Sequence, residues 1–106
     1  MVELQLNKPL ELSSGKVLDC LNLDFDSLST ADFKAAQRLR GLISDAKTVD
    51  ASKMMAMLRL DSEFQIAVGF IAACKGSSEL SQADFLKLSM KDALLVGEAA
   101  NDYFFA

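Results

Sequence analysis

The chain contains no histidine and no tryptophan, and only one proline, one tyrosine, two cysteines and five isolated glycines. Without histidine, the Ser-His-Asp and Cys-His nucleophilic sites and the histidine-based metalloprotease sites are excluded. Two cysteines alone cannot assemble a usual zinc set. Glycines that never cluster build no phosphate-cradling loop, and one tyrosine offers little for stacking on bases. So little proline and glycine also excludes collagen-like, linker-like and low-complexity segments. Basic residues number 11 against 15 acidic ones, a formal net charge of −4. An acidic domain gains nothing from counterion release at phosphates, so neither nucleic acid nor an anionic membrane surface is an expected partner. The longest uncharged apolar run, Phe64 to Cys74, is about half of the ~20 residues a membrane helix needs. Met1-Val2-Glu3-Leu4 has no basic stretch leading into an apolar run, so no signal peptide is expected and the expected location is the cytoplasm. No cofactor, metal or catalytic activity is expected.

What is present suits one domain over residues 1–106: 51% of the chain is apolar and 25% charged, enough for one core that hides roughly 60 to 70% of the unfolded surface. The patterning points to the α+β class, an N-terminal β-hairpin over 1–25 followed by a small bundle of three to four helices over 29–106. Val2, Leu4 and Leu6 alternate with Glu3 and Gln5, the period of a strand. Asn7-Lys8-Pro9 and Ser13-Ser14-Gly15-Lys16 are turn material, Leu10-Glu11-Leu12 continues the first strand, and Val17 to Phe25 reads as the return strand.

Helical signals begin at Leu28-Ser29-Thr30-Ala31-Asp32-Phe33. Ser29 and Asp32 have the spacing of a capping box, and Leu28 and Phe33 that of a hydrophobic staple. This helix is expected to reach about Ser44, with Ala35, Leu39, Leu42 and Ile43 inward and Lys34, Gln37 and Arg38 outward. The same start recurs at Leu80-Ser81-Gln82-Ala83-Asp84-Phe85 and, more loosely, at Leu88-Ser89-Met90-Lys91-Asp92-Ala93. The residues between the copies do not match, so the echo reads as one capping device used three times and not as a repeat. Asp61 to Lys75 is apolar all round, as a buried central helix is, with Lys75 in its last turn and Gly76 beyond as a stop. The last helix spans about 89–104.

Several groups invite two readings. Cys20 and Cys74 read as reduced, buried thiols, with a disulfide as the alternative. Asp24 with Asp26, and Asp61 with Glu63, sit at element ends where acids cap and turn the chain; paired acid–base chemistry is the alternative. Met54, Met55, Met57 and Met90 fill irregular cores or line adaptable binding surfaces. Lys34, Arg38 and Arg40 read as a solvated face, or as a surface for an acidic segment. On the last helix, Lys91, Glu98 and Asp102 form a narrow polar stripe, leaving more apolar circumference than one packing face of roughly 100° uses. The surplus, Leu95, Ala99, Tyr103, Phe104 and Phe105, is the expected partner-binding face, and it leaves self-association open as well.

In order along the chain, these features resemble the small tail assembly chaperones of long-tailed bacteriophages and prophages. Leu6-Asn7-Lys8-Pro9-Leu10, Ser14-Gly15-Lys16-Val17 and Leu21-Asn22-Leu23 are similar to that family's opening. Phe25-Asp26-Ser27-Leu28-Ser29 with Asp32-Phe33 resembles its entry into the first helix. The closest likeness is at the other end, through Ile71-Ala72-Ala73-Cys74, Leu80-Ser81, Asp84-Phe85, Leu88-Ser89 with Asp92, and Phe104-Phe105. The likeness covers most of the chain apart from Asp45 to Leu60. It implies a protein that binds the long helical tape-measure protein, keeps it soluble, helps recruit tail tube subunits and is absent from the mature virion. It also implies a second, longer product made by frameshifting near Phe104-Phe105. An unrelated small adaptor or scaffold domain is the competing reading, and a small carboxylate enzyme a third.

Overall fold

A computed structural model describes residues 2–42 and 62–105. The fold is α+β, as the patterning implied. Strands β1 (Val2–Glu11) and β2 (Val17–Leu23) form an antiparallel hairpin. After it come a 3-10 turn (Phe25–Ser27) and the helices α1 (Thr30–Arg40), α2 (Ser62–Gly76) and α3 (Met90–Phe105), with a 3-10 helix (Gln82–Lys87) ahead of α3. The segment 45–60 that the family likeness leaves out, with Met54, Met55 and Met57, lies outside the described residues.

Asn7-Lys8-Pro9 does not end the first strand. The register runs from Val2↔Leu23 to Gln5↔Cys20 and resumes at Leu10↔Leu18. Leu6, Asn7, Lys8 and Pro9 are therefore opposed by Asp19 alone, a wide irregularity inside one strand. Proline brings no N–H to a ladder and tolerates such a place. Gln5 Nε2 donates to the Asp19 carbonyl at 2.9 Å, leaving the Asn7 and Lys8 N–H groups to find partners elsewhere.

Helix α2 is the axis of the molecule. Phe64, Ile66, Ala67, Val68, Phe70, Ile71, Ala72 and Ala73 are all buried, and α1, α3 and β2 pack around them. Its end differs from expectation. Gly76 is the last helical residue, and Gly15 alone among the described residues has a positive φ. Gly76 is needed for space instead: a Cβ there would lie 1.9 Å from the Asn22 carbonyl oxygen. Close by, the Asp24 N–H donates to the Ala72 carbonyl at 3.0 Å, which ties the chain just past β2 to the last turns of the helix.

Helix α1 ends at Arg40, short of Ser44, with Gly41 as its cap; glycine is a poor helix former. Ile43 and Ser44 lie outside the described residues. Lys34 and Arg38 are exposed, but Arg40 is buried. At 100° per residue it falls beside Ala36 and Phe33, on the apolar side, so the expected solvated face loses one of its three members.

Both cysteines are free thiols, Cys20 on β2 and Cys74 on α2. Burial, reinforced by the negative charge of Asp84, pushes the Cys74 thiol up to about 11. From the ordinary value of 9.0 that is a thiolate fraction lower by about a hundredfold. Cys74 is therefore expected to react with an aromatic disulfide reagent at pH 8 far more slowly than a free thiol, and to reach the free rate only in denaturant.

Candidate partner-binding groove

Residues 80–93 are shaped by two of the three Leu-Ser-x-x-Asp starts. Ser81 N and Oγ both donate to Asp84 Oδ2 at 3.2 Å, the capping box that opens the 3-10 helix. The other oxygen, Oδ1, accepts from Ser13 N at 2.9 Å and Ser13 Oγ at 2.8 Å. The cap therefore also pins the hairpin turn. Eight residues on, the Asp92 N–H donates to Ser89 Oγ at 3.2 Å, and Ser89 Oγ donates to Asp92 Oδ2 at 2.9 Å. The same carboxylate takes Asn7 N at 2.7 Å, Asn7 Nδ2 at 3.0 Å and Lys8 N at 3.0 Å. Those are the N–H groups freed by the irregularity in β1. The first copy works alike: Ser29 N donates to Asp32 Oδ2 at 2.8 Å, and Lys75 Nζ lies 3.4 Å from that oxygen. Each capping acid thus reaches a second element: the end of α2, the hairpin turn or the bend in β1.

Asp84 and Asp92 are fully buried, and burial alone would push their carboxyls up. Hydrogen bonds from Ser13 and Ser81 overturn this at Asp84 and hold it at about 2. Those from Asn7, Lys8 and Ser89 hold Asp92 below its usual value, and Ser29 with Lys75 does the same for Asp32. A depressed carboxyl means that the unfolded chain takes the proton first, so stability is complete above the unfolded value, near pH 4, and is lost as pH falls through the folded one. The melting temperature is expected to be level in this respect above about pH 4 and to fall steadily toward about pH 2. Calorimetry across that range checks it.

The two caps point alternate side chains in opposite directions. Phe85 is buried, its ring 5.2 Å from that of Phe70 in an edge contact, while Leu86 is 62% exposed. Past the second cap, Met90 is 81% and Leu94 57% exposed. They are one helical turn apart on α3 and form one strip. Beside that strip lies an apolar groove of about 300 Å³ lined by Ile66, Phe85, Leu86, Leu88, Met90 and Ala93. Its floor is fixed by the crossing of α2 and α3, where Gly97 packs on Ile66 and Gly69 on Val96.

The face expected from the sequence lies further along α3. Leu95 and Ala99 are half-buried. Tyr103 keeps 46% exposure, but its ring stacks on Phe25 at 4.8 Å and its hydroxyl donates to Asp26. Phe104 is half-buried, with ring centroids 5.9 Å from Phe25 and 6.4 Å from Phe33, and Phe105 packs beside it at 6.3 Å. These aromatics draw the end of α3 onto the 3-10 turn and α1. Sequence reasoning missed Leu86, Met90 and Leu94 as an exposed set. The available signal was the i, i+4 spacing of Met90 and Leu94 on the edge of the helix facing away from Val96.

Of the carboxylate pairs, Asp24 accepts from Ser27 Oγ at 2.7 Å, a turn contact, and Asp26 accepts from Tyr103. Asp61 lies outside the described residues. Among the described residues, no helix is long and apolar enough to cross a membrane. The chain matches no family model, no curated protein and no solved structure.

Proposed function

We propose that this chain is a tail assembly chaperone of a long-tailed bacteriophage or prophage. In this reading it holds an apolar helical segment of the tape-measure protein, keeps that protein soluble and helps bring tail tube subunits to it. The observation that carries the reading is the exposed strip of Leu86, Met90 and Leu94 beside an apolar groove. Apolar side chains exposed together on a small protein mark a binding surface, and a groove bordered by a helix suits an amphipathic helix laid into it. The sequence resemblance supplies the identity of the partner. Methionine at the most exposed point of the strip suits adaptable, reversible contact, as a factor that leaves before the virion is complete requires. Leu95, Ala99 and Tyr103 fall across the polar stripe of Lys91, Glu98 and Asp102 from Met90 and Leu94, so the face expected from the sequence, which also takes in Phe104 and Phe105, does not continue this strip.

The test is co-expression with the long tape-measure protein encoded nearby. The wild-type chain is expected to keep that protein soluble and to co-purify with it. The Met90→Asp, Leu94→Asp double variant should melt within a few degrees of wild type, since both side chains are exposed, and should weaken association by at least about tenfold. If neither this chain nor a frameshifted longer form renders the tape-measure protein soluble, the chaperone reading is wrong and an unrelated adaptor takes its place.

A further inference from the structure

We propose that α3 pairs with the α3 of a second copy of this chain, antiparallel, about a two-fold axis that crosses the helix between Leu94 and Leu95. This inference concerns the chain alone and does not rest on the chaperone reading.

The charges on the outer face of α3 are placed against the needs of a lone helix. Lys91, Glu98 and Asp102 are exposed and form one stripe. Lys91 directly follows Met90, the first residue of α3, and so lies in the first turn, where the helix dipole favours an acid. Asp102 lies in the last turn, which holds no basic residue and where the dipole favours a cation. Glu98 and Asp102 are like charges one turn apart, a spacing that destabilises a helix. Lys91 and Glu98 are about 10 Å apart along the axis, too far to pair within the helix. Among the described residues, none of the three enters an ion pair.

An antiparallel copy answers this pattern. With the axis between Leu94 and Leu95, Lys91 of each copy stands level with Glu98 of the other, so the same contact is made twice. Lys91 and Glu98 share one flank of the exposed strip of Met90 and Leu94, and an antiparallel pair brings matching flanks together. Leu94, 57% exposed in the single chain, then meets its counterpart near the axis. A parallel copy would set Lys91 beside Lys91 and Glu98 beside Glu98, which like charges oppose. An unrelated helix would need the same charges at the same spacing in reverse order, whereas this chain already carries them. Exposed ion pairs contribute modestly, so the dimer is weak and reversible. Leu94 also belongs to the strip beside the groove, so a second copy and a partner helix compete for it.

Sedimentation equilibrium of the full chain over a concentration series, at low and high salt, tests this. A monomer–dimer equilibrium is expected, weaker at high salt. Lys91→Glu and Glu98→Lys should each weaken self-association by at least about tenfold, because each reverses both symmetric contacts. Both variants should stay folded, since the two side chains are exposed, and thermal melts check it. Mixed together, the two single variants should dimerise again, and the double variant Lys91→Glu, Glu98→Lys should recover wild-type association. A chain that stays monomeric at every concentration overturns the inference. So does a dimer indifferent to both reversals, or a mixture of the two variants that fails to associate. None of these outcomes bears on co-purification of the tape-measure protein, which tests the chaperone reading separately.

Discussion

Replacing Asp92 with alanine is expected to lower the unfolding free energy by about 3 kcal/mol and the melting temperature by more than about 10 °C. The carboxylate is fully buried and accepts from Asn7 N, Asn7 Nδ2, Lys8 N and Ser89 Oγ. Alanine leaves two backbone N–H groups of β1 without the acceptor that the buried carboxylate supplied and opens a void where that carboxylate stood, and a lost hydrogen bond to a charged group costs more than a lost neutral one. Asparagine is no remedy, because one of its two terminal atoms donates where the carboxylate accepted. The informative control is Asp32→Ala, which removes the same motif residue from α1. Asp32 is only half-buried and mainly caps its own helix, so about 1 kcal/mol is expected. Urea denaturation followed by circular dichroism measures both. Equal losses would mean that the contacts to the hairpin add nothing beyond capping.

Gly69→Val should be at least as damaging, with a loss of about 3 kcal/mol or more. A Cβ at Gly69 would lie 2.4 Å from Val96 Cγ1 and 2.7 Å from the Val96 carbonyl oxygen. The first contact is with a side chain and the second with backbone, so α2 and α3 would have to move apart along the crossing that floors the groove. Adding Val96→Ala to Gly69→Val should recover only part of the loss, since the carbonyl stays in place. Full recovery would show that side-chain crowding alone sets the approach of the two helices.

Leu95 and Met90 show how far pattern reading goes. Both are apolar residues of α3, and periodicity places each near the border of the buried face. Leu95 is half-buried while Met90 is among the most exposed side chains; Met90 is the first residue of the helix, at the lip of the groove. The aromatic end of α3 is the reverse case. Tyr103 and Phe104 looked like surplus, but Phe25 and Phe33, distant in sequence, supply the rings they pack on. Arg40 likewise carries a charge that suggested solvent, yet its angular position places it on the buried side of α1.

By itself the sequence determined the hairpin, the starts of the helices and the burial of α2. These depend on near neighbours: alternation at period two, Ser and Asp three residues apart, and an apolar residue at almost every position of one turn after another. Only the tertiary structure decided that the capping acids hold the molecule together. A carboxylate has more lone pairs than a cap uses, and the N–H groups of Asn7 and Lys8 that take up the remainder at Asp92 lie 85 and 84 residues away in the chain. The groove was decided in the same way. It exists where the capped 3-10 helix, the crossing of α2 and α3 and the first turn of α3 leave apolar surface uncovered, and no local pattern records how much of a surface its distant neighbours will cover.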